Sequence, residues 1–523
     1  MSTRIALDSV RRIAARNGLR LEFADDVLAE ARAWVDAPGI DDAALRDLTA
    51  LPFITIDYER SNDLDQALYI ERVGDGHRVY YALADASYYV RPGSALFDEA
   101  VRRAASYYLP GFTVPMLPDS LSEGIISLNP EVDRRALVVA TTVDADGAAS
   151  DTELFRARIH SRQKLTYNGV QAYIDDPTSS PLAGHDFCEA LELLRVVGQR
   201  RIIRADEHDV VKFDRVSARL HLPSPDATEL QIIAERRNGV QLWNEQISLL
   251  CNIEGARFLR EHVDPTTGFS GVFRVHPPPR PEAMQHLRES ICRLVDTLEL
   301  DDFWRWPKDE SLADYVDRLP DEGEQHRLAR ALQRQAMLIN LPSYFATEPA
   351  PGHYGIGAAA YSRFSSPMRE MVGVVTASMA FHQLAGRPMS DSGLDAERIE
   401  TIVAGGNRAK TVQKKITRDA NKLALDQLFR RDTKTALADR PVRIGTVMGL
   451  SATKLYVQLD DPPVEVKLYT EELRALWRGK TKAPNGFELF GPNDRCIRVG
   501  DPLRVRVARH DDKRQRWVLD PVD

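Results

Sequence analysis

Apolar positions along the first 48 residues recur at helical spacing. Leu7, Val10, Ile13 and Ala14 define one stripe, and Phe23, Val27, Leu28, Ala31 and Trp34 define another. Asp41-Asp42 can cap a third helix containing Leu45 and Leu48. This N-terminal unit, residues 1–48, reads either as a helix-turn-helix or as a simple packing module. The pattern then changes. Strand-like runs at Val79 to Val90 and Leu137 to Val143 alternate with helical patterns around 228–262, 281–299 and 367–385, which describes a large mixed α/β domain over residues 49–438. His276-Pro-Pro-Pro-Arg-Pro281 reads as an extended connector. From residue 439 to 523, five short runs separated by polar turns suit an OB-type β-barrel: Val442 to Val447, Lys454 to Leu459, Val464 to Leu468, Pro502 to Ala508 and Arg516 to Leu519.

Composition adds limits. A chain of 523 residues with 43% apolar content implies two to four soluble globular domains. It shows neither a bilayer-length apolar run nor a secretory h-region, so a cytoplasmic protein without membrane association is expected, and a monomer. The four cysteines, Cys188, Cys251, Cys292 and Cys496, form no C-x2-C pair, so neither a zinc ribbon nor a disulfide framework is indicated. The net charge of −8 argues against a protein that coats nucleic acid with its whole surface. Residues 401–439 nevertheless carry nine Lys or Arg against four Asp, and 440–523 carry sixteen against twelve acidic residues. The C-terminal part is therefore positive while the remainder is acidic.

The most specific chemistry lies in Ile54-Thr-Ile-Asp57-Tyr-Glu-Arg-Ser-Asn-Asp63-Leu-Asp65-Gln66. An apolar run delivers Asp57, and a short loop presents Asp63 and Asp65. Converging carboxylates repel unless a cation offsets them, and hard oxygen donors without nearby His or Cys favour Mg²⁺ or Mn²⁺. The spacing does not fit an EF-hand. Taken alone, the segment is equally compatible with a capped turn.

Other segments extend the pattern: Tyr107-Tyr-Leu-Pro-Gly-Phe112, Pro115-Met-Leu-Pro118, Ser127-Leu-Asn-Pro130, Trp243-Asn-Glu245 through Asn252, His353-Tyr-Gly-Ile-Gly357 and Tyr361-Ser-Arg-Phe-Ser-Ser-Pro-Met-Arg369. In order and spacing, together with the acidic segment, they resemble the RNase II (RNB) family of 3′ to 5′ exoribonucleases over roughly residues 50–435, with Ile54 to Ala67 resembling its first signature and His353 to Gly357 followed by Tyr361 to Arg369 its second. The resemblance implies an RNB catalytic domain, a C-terminal S1-type RNA-binding domain, and hydrolysis of single-stranded RNA to nucleoside 5′-monophosphates with Mg²⁺, Mn²⁺ being a possible substitute. It places Asp57, Asp63, Asp65 and Gln66 at the metal positions, with Asp65, Asp63 and Arg369 catalytic. Tyr108 and Phe213 match the base-clamping aromatics, and Tyr167 and Glu245 match positions near the 3′ end that select ribose. In the S1-type segment, Tyr456 and Lys467 are the expected RNA contacts.

Three departures stand out. Gln66 replaces the fourth acidic residue, Glu370-Met-Val-Gly373 follows Arg369 where R-Y-x-D is typical, and the late A-E-R-D signature appears as Ile416-Thr-Arg-Asp419. They keep open a second reading, a catalytically lapsed RNB-fold RNA-binding regulator. About fifty residues before the first signature cannot encode the two cold-shock domains that precede it in bacterial relatives. With a smaller entrance, digestion extending into structured RNA is expected.

Overall fold

Alternation along Gln66–Val73 and Gly76–Ala84 produces an antiparallel hairpin, turned at Gly74, whose φ of 56° is a left-handed value that glycine adopts freely. The computed structural model describes residues 5–206, 217–224, 226–264, 269–387, 389–477, 487–491 and 496–522. The chain begins with α1 (Ile5–Arg16) and α2 (Asp25–Asp36), followed by β1 (Arg46–Asp47). The expected third helix does not form: residues 46–47 instead pair in parallel with a long downstream strand. The two helices also pack separately. Val10 and Ile13 of α1 join a cluster with Ile416 and Ala420, whereas Val27 and Ala31 of α2 join the main core.

The central sheet contains β2 (Phe53–Asp57), β3 (Gln66–Val73) and β4 (Gly76–Ala84). After α3 (Ala86–Tyr89), α4 (Ala95–Arg103), β5 (Tyr107–Leu109) and β6 (Phe112–Val114), it is completed by β7 (Asp133–Val143) and the 18-residue β8 (Ala149–Thr166). The strand expected over 79–90 thus ends at Ala84. Early residues of β8 pair with β7 and late ones run parallel to β2, so the order β8-β2-β3-β4-β7 closes back on β8. Closure leaves its apolar positions, among them Ile54, Leu68, Tyr81, Val138 and Ile159, in the main core.

Around this sheet lie α5 (Tyr167–Asp175), α6 (Cys188–Asp206), the hairpin β9 (Ser217–His221) with β10 (Gln231–Glu235), and α7 (Gly239–Glu261). The helix read from 228 starts only at 239, because residues 231–235 are claimed by β9. A capping box between Asn238 and Gln241 sets that start. Next come β11 (Phe273–Val275), α8 (Pro281–Thr297), α9 (Leu312–Asp317), α10 (His326–Leu338) and β12 (Tyr344–Ala346), then α11 (Met371–Leu384) and the 37-residue α12 (Ala396–Asp432).

The C-terminal strands β13 (Val442–Leu450), β14 (Lys454–Leu459) and β15 (Glu465–Tyr469) precede α13 (Thr470–Trp477), the small hairpin β16 (Glu488–Phe490) with β17 (Cys496–Arg498), and finally β18 (Pro502–Asp511) and β19 (Arg516–Pro521). Five of them form one sheet, ordered β15-β14-β13-β18-β19. It docks on α10, where Arg327 pairs with Asp460 at 2.6 Å and Gln335 donates to the Met448 carbonyl at 2.6 Å. Met448 and Val499 share a core with Leu332 of α10. Among the described residues, no helix is long and apolar enough to cross a membrane.

Candidate active site

The first signature is shaped by buried chain on both sides. Phe53 to Ile56 of β2 are buried, and Asp57 emerges half-buried at the strand end. Its Oδ1 accepts hydrogen bonds from the Tyr58 N–H at 2.7 Å and from Ser61 Oγ at 3.0 Å. Lys164, near the end of β8, donates to the carbonyls of Glu59 (2.9 Å) and Ser61. Ser127 accepts from the Leu64 N–H (2.9 Å) and donates to the Asn62 carbonyl (2.8 Å), so the Ser127-Leu-Asn run is a clamp on the acidic loop.

The second signature is held by Asn252 of α7, which is fully buried. Its Nδ2 donates to Tyr361 Oη (2.9 Å) and Ser365 Oγ (2.8 Å), and its Oδ1 accepts from the N–H groups of Phe364 (2.8 Å) and Ser365 (3.0 Å). The amide's four hydrogen-bonding positions are all used. Gly255, one turn on, lets the Phe364 ring approach, since a Cβ there would lie 2.4 Å from it. Arg363 and Glu370 close the loop with an ion pair at 3.0 Å.

These frames bring the two signatures into contact. Asp65, whose side chain is fully buried, accepts from the Met368 N–H at 2.9 Å and forms an ion pair with Arg369 Nε. Asp63 lies 4.0 Å from the same Nε and is partly exposed, as is Arg369. Burial pushes the carboxyls of Asp63 and Asp65 above the usual range, while Arg369 pulls both down. The three carboxylates hold the Arg369 guanidinium protonated against the cost of burial.

Tyr108, half-exposed on β5, turns its hydroxyl toward Asp63 and Arg369. Its hairpin turns through Pro110-Gly111 and is pinned to the second signature by the Ser106 N–H on the Arg369 carbonyl (2.9 Å) and the Met371 N–H on the Ala104 carbonyl (2.9 Å). Tyr167, at the start of α5, stands edge-on to Tyr58 with ring centroids 5.3 Å apart. Burial, then the Asp57 charge, pushes its hydroxyl up to about 12.

Thus Asp57, Asp63, Asp65, Tyr108, Tyr167 and Arg369 converge, and other expected residues lie elsewhere. The Gln66 amide donates to the Ser365 carbonyl and accepts from the Tyr81 hydroxyl, so both ends have protein partners. Glu245 is exposed and paired with Arg237 at 2.7 Å. Tyr456 sits across from Lys467 on the C-terminal sheet, with the Arg334 guanidinium 5.2 Å from its ring. Phe213 lies outside the described residues.

Asp57, Asp63 and Asp65 are hard oxygen donors of the kind that hold Mg²⁺ or Mn²⁺. Among the described residues, no three His, Cys, Asp or Glu side chains are grouped closely enough to hold an ion, and Arg369 pairs with Asp65. Sequence reasoning assigned no role to Asn252, Ser127, Lys164 or Tyr58. An Asn inside the apolar run Ile247 to Ile253 was the available signal for Asn252. Tyr58 is exposed beside Asp57, receives a hydrogen bond from Gln241 at 3.2 Å, and has Arg219 5.1 Å from its ring.

The RNB domain model matches residues 45–377. Ribonuclease R of Escherichia coli (strain K12) is 32% identical over 330 residues, covering 62% of this chain and 38% of that protein. Exoribonuclease 2 of Cronobacter sakazakii is 33% identical over 359 residues, covering 68% and 52%. The chain therefore spans about half or less of the length of these curated relatives. Mycoplasma genitalium RNase R, solved with ribose-methylated single-stranded RNA, shares the fold at a TM-score of 0.84 and 20% identity, over 99% of this chain and 78% of that one. With the family model covering well over half of its length and both signatures in contact, the chain belongs to the RNB family.

Proposed function

We propose that this protein is a 3′ to 5′ exoribonuclease that hydrolyses single-stranded RNA and releases nucleoside 5′-monophosphates. One observation carries the reading: the acidic loop and the second signature, about 300 residues apart in sequence, meet through Asp65 and Arg369 beside Tyr108 and Tyr167. The partly exposed Arg369 can meet a phosphate oxygen and offset charge that develops there. Tyr108 offers a face for stacking on a terminal base, and the Tyr167 hydroxyl, beside Asp57, is a group that can select a ribose hydroxyl. Exoribonucleases of this family generally depend on a divalent cation. Mg²⁺, with Mn²⁺ as substitute, belongs to the proposal because the accessible donors Asp57 and Asp63 are hard oxygens.

The C-terminal sheet supports a second part of the proposal. Five antiparallel strands with a helix between the third and fourth of them suit an S1-type OB domain, with Lys467 and Tyr456 toward RNA. A boundary at 438/439 goes with it. The neutral Gln66 and the Asp65–Arg369 pair favour one alternative, an RNA-binding protein that no longer cleaves. Incubation with 3′-labelled and 5′-labelled RNA separates the two. The enzyme releases labelled mononucleotide at once from the 3′ label and shortens the 5′-labelled strand stepwise, and EDTA stops both; RNA bound but intact under every divalent cation would establish the alternative.

A further inference from the structure

Around Glu370, one residue beyond Arg369, cations gather from three parts of the chain with too few carboxylates to match. Arg274 on β11 donates from Nε to Ser343 Oγ at 3.2 Å. Lys410 on α12 donates to the same Oγ at 2.9 Å and to the Ser343 carbonyl at 2.6 Å. The arrangement is built into the fold, because Asn407, one turn before Lys410, bonds both the N–H and the carbonyl of Phe345 (2.7 and 2.9 Å) and fixes α12 against β12.

The one carboxylate nearby, Glu370, is already committed to Arg363 through two hydrogen bonds of 3.0 and 3.4 Å. Burial opposes its charge, yet Arg363, then Arg274 and Lys410, hold its pKa below the ordinary range. Neither Arg274 nor Lys410 has an ion-pair partner among the described residues. The neighbouring histidines bring no compensating charge. Burial and Arg274 push His353 down to about 3, burial lowers His276, and His353 Nδ1 is buried without a hydrogen-bond partner. Lys414, exposed one turn along α12, adds another positive charge facing Lys410.

Partly buried cations that share a neutral hydroxyl repel one another and are costly unless an anion completes the group. The surplus over Glu370 matches a dianion better than a monoanion, and Arg274 and Lys410 are both partly exposed, so a ligand can reach them. A phosphate monoester carries close to two charges at neutral pH, whereas an internal phosphodiester carries one. Glu370, the carboxylate of this cluster, directly follows Arg369 in the chain.

We propose that Arg274, Lys410 and Ser343 form a phosphate-monoester site that receives the 5′-phosphate of the nucleotide leaving the neighbouring active site. The identity of that nucleotide rests on the proposed nuclease function; the anion site itself does not. Calorimetric titration of the full chain in EDTA, at constant ionic strength, tests the two separately. The probes are inorganic phosphate, 5′-AMP, adenosine and a short RNA.

Phosphate and 5′-AMP are expected to compete for one site and adenosine to stay unbound. Lys410→Gln should weaken phosphate and 5′-AMP about tenfold, and Lys410→Arg should restore most of the loss. Tighter binding of 5′-AMP than of phosphate identifies the nucleotide as the source, and equal binding supports a site for phosphate monoesters in general. Binding by a protein that proves unable to cleave RNA would reject the nuclease reading and keep the site. No phosphate binding by the wild type at millimolar concentration would overturn the proposal. So would a Lys410→Gln protein that loses RNA affinity but holds phosphate unchanged, because the cluster would then be part of the RNA track.

Discussion

Replacing Asn252 with Ala removes the amide that organises the second signature without touching Asp65 or Arg369. Tyr361 and Ser365 hydroxyls can rotate toward other partners, but the Phe364 and Ser365 N–H groups accept no such remedy, because Asn252 Oδ1 is their acceptor in a fully buried position. Each buried, unsatisfied donor costs roughly 1–3 kcal/mol, so local opening becomes easier by about 2–6 kcal/mol. At about 1.4 kcal/mol per decade, exchange of those amides should accelerate by roughly one and a half to four decades. A chain of this size need not melt in one step, so a local probe is preferable to a global midpoint. Hydrogen–deuterium exchange of peptides covering 361–369 reads the effect directly. The rate of nucleotide release should fall about 10²-fold, as expected when a loop carrying a charge-stabilising Arg is misplaced by about 1 Å. Unchanged exchange in these peptides would refute the reasoning, whatever the rate did.

Three other outcomes follow from particular contacts. Gln66→Asp adds a carboxylate but removes the donor to the Ser365 carbonyl, so activity should fall at every Mg²⁺ concentration with the half-maximal concentration unchanged; a lowered half-maximal concentration in a Mg²⁺ titration would put residue 66 back among the ligands. Lys467→Gln should lower the slope of log affinity against log salt by about one and weaken all RNA sequences alike, whereas truncating residues 440–523 would also uncover Leu332 and its neighbours and confuse the test. Burial and Arg274 hold Lys410 down to about 8, so phosphate-monoester affinity should be highest between about pH 6, where the ligand gains its second charge, and about pH 8, and should weaken about tenfold as pH rises through that value; constant affinity from pH 7 to 9.5 would contradict this.

The sheet elements were legible because their signals are local. Lys454 to Leu459 emerged as β14 with the same bounds, and the strand end that carries Asp57 follows from a short apolar run ending in a polar one. The misses have long-range causes. The sequence pattern makes residues 46–47 helical, but a parallel edge of β8 recruits them. The 37-residue α12 went unread because much of its buried stripe is small, with Gly405, Gly406, Ala409, Ala420 and Ala424, and hardly stands out by hydropathy. At the site, residue types were legible and partnerships were not. Gln66 reads as a weakened ligand until Ser365, 299 residues later, supplies its carbonyl. Asp65 stands out as a carboxylate in the sequence, but its pairing with Arg369, 304 residues later, does not.

The most direct test of the central claim is Asp65→Asn, measured for RNA affinity and for nucleotide release under single-turnover conditions. Asn retains an oxygen for the Met368 N–H and the shape of the buried side chain while removing the charge that faces Arg369. The account predicts release reduced by at least about 10²-fold with RNA affinity little changed, since stacking and backbone contacts lie elsewhere. Near-normal release by this variant would contradict it.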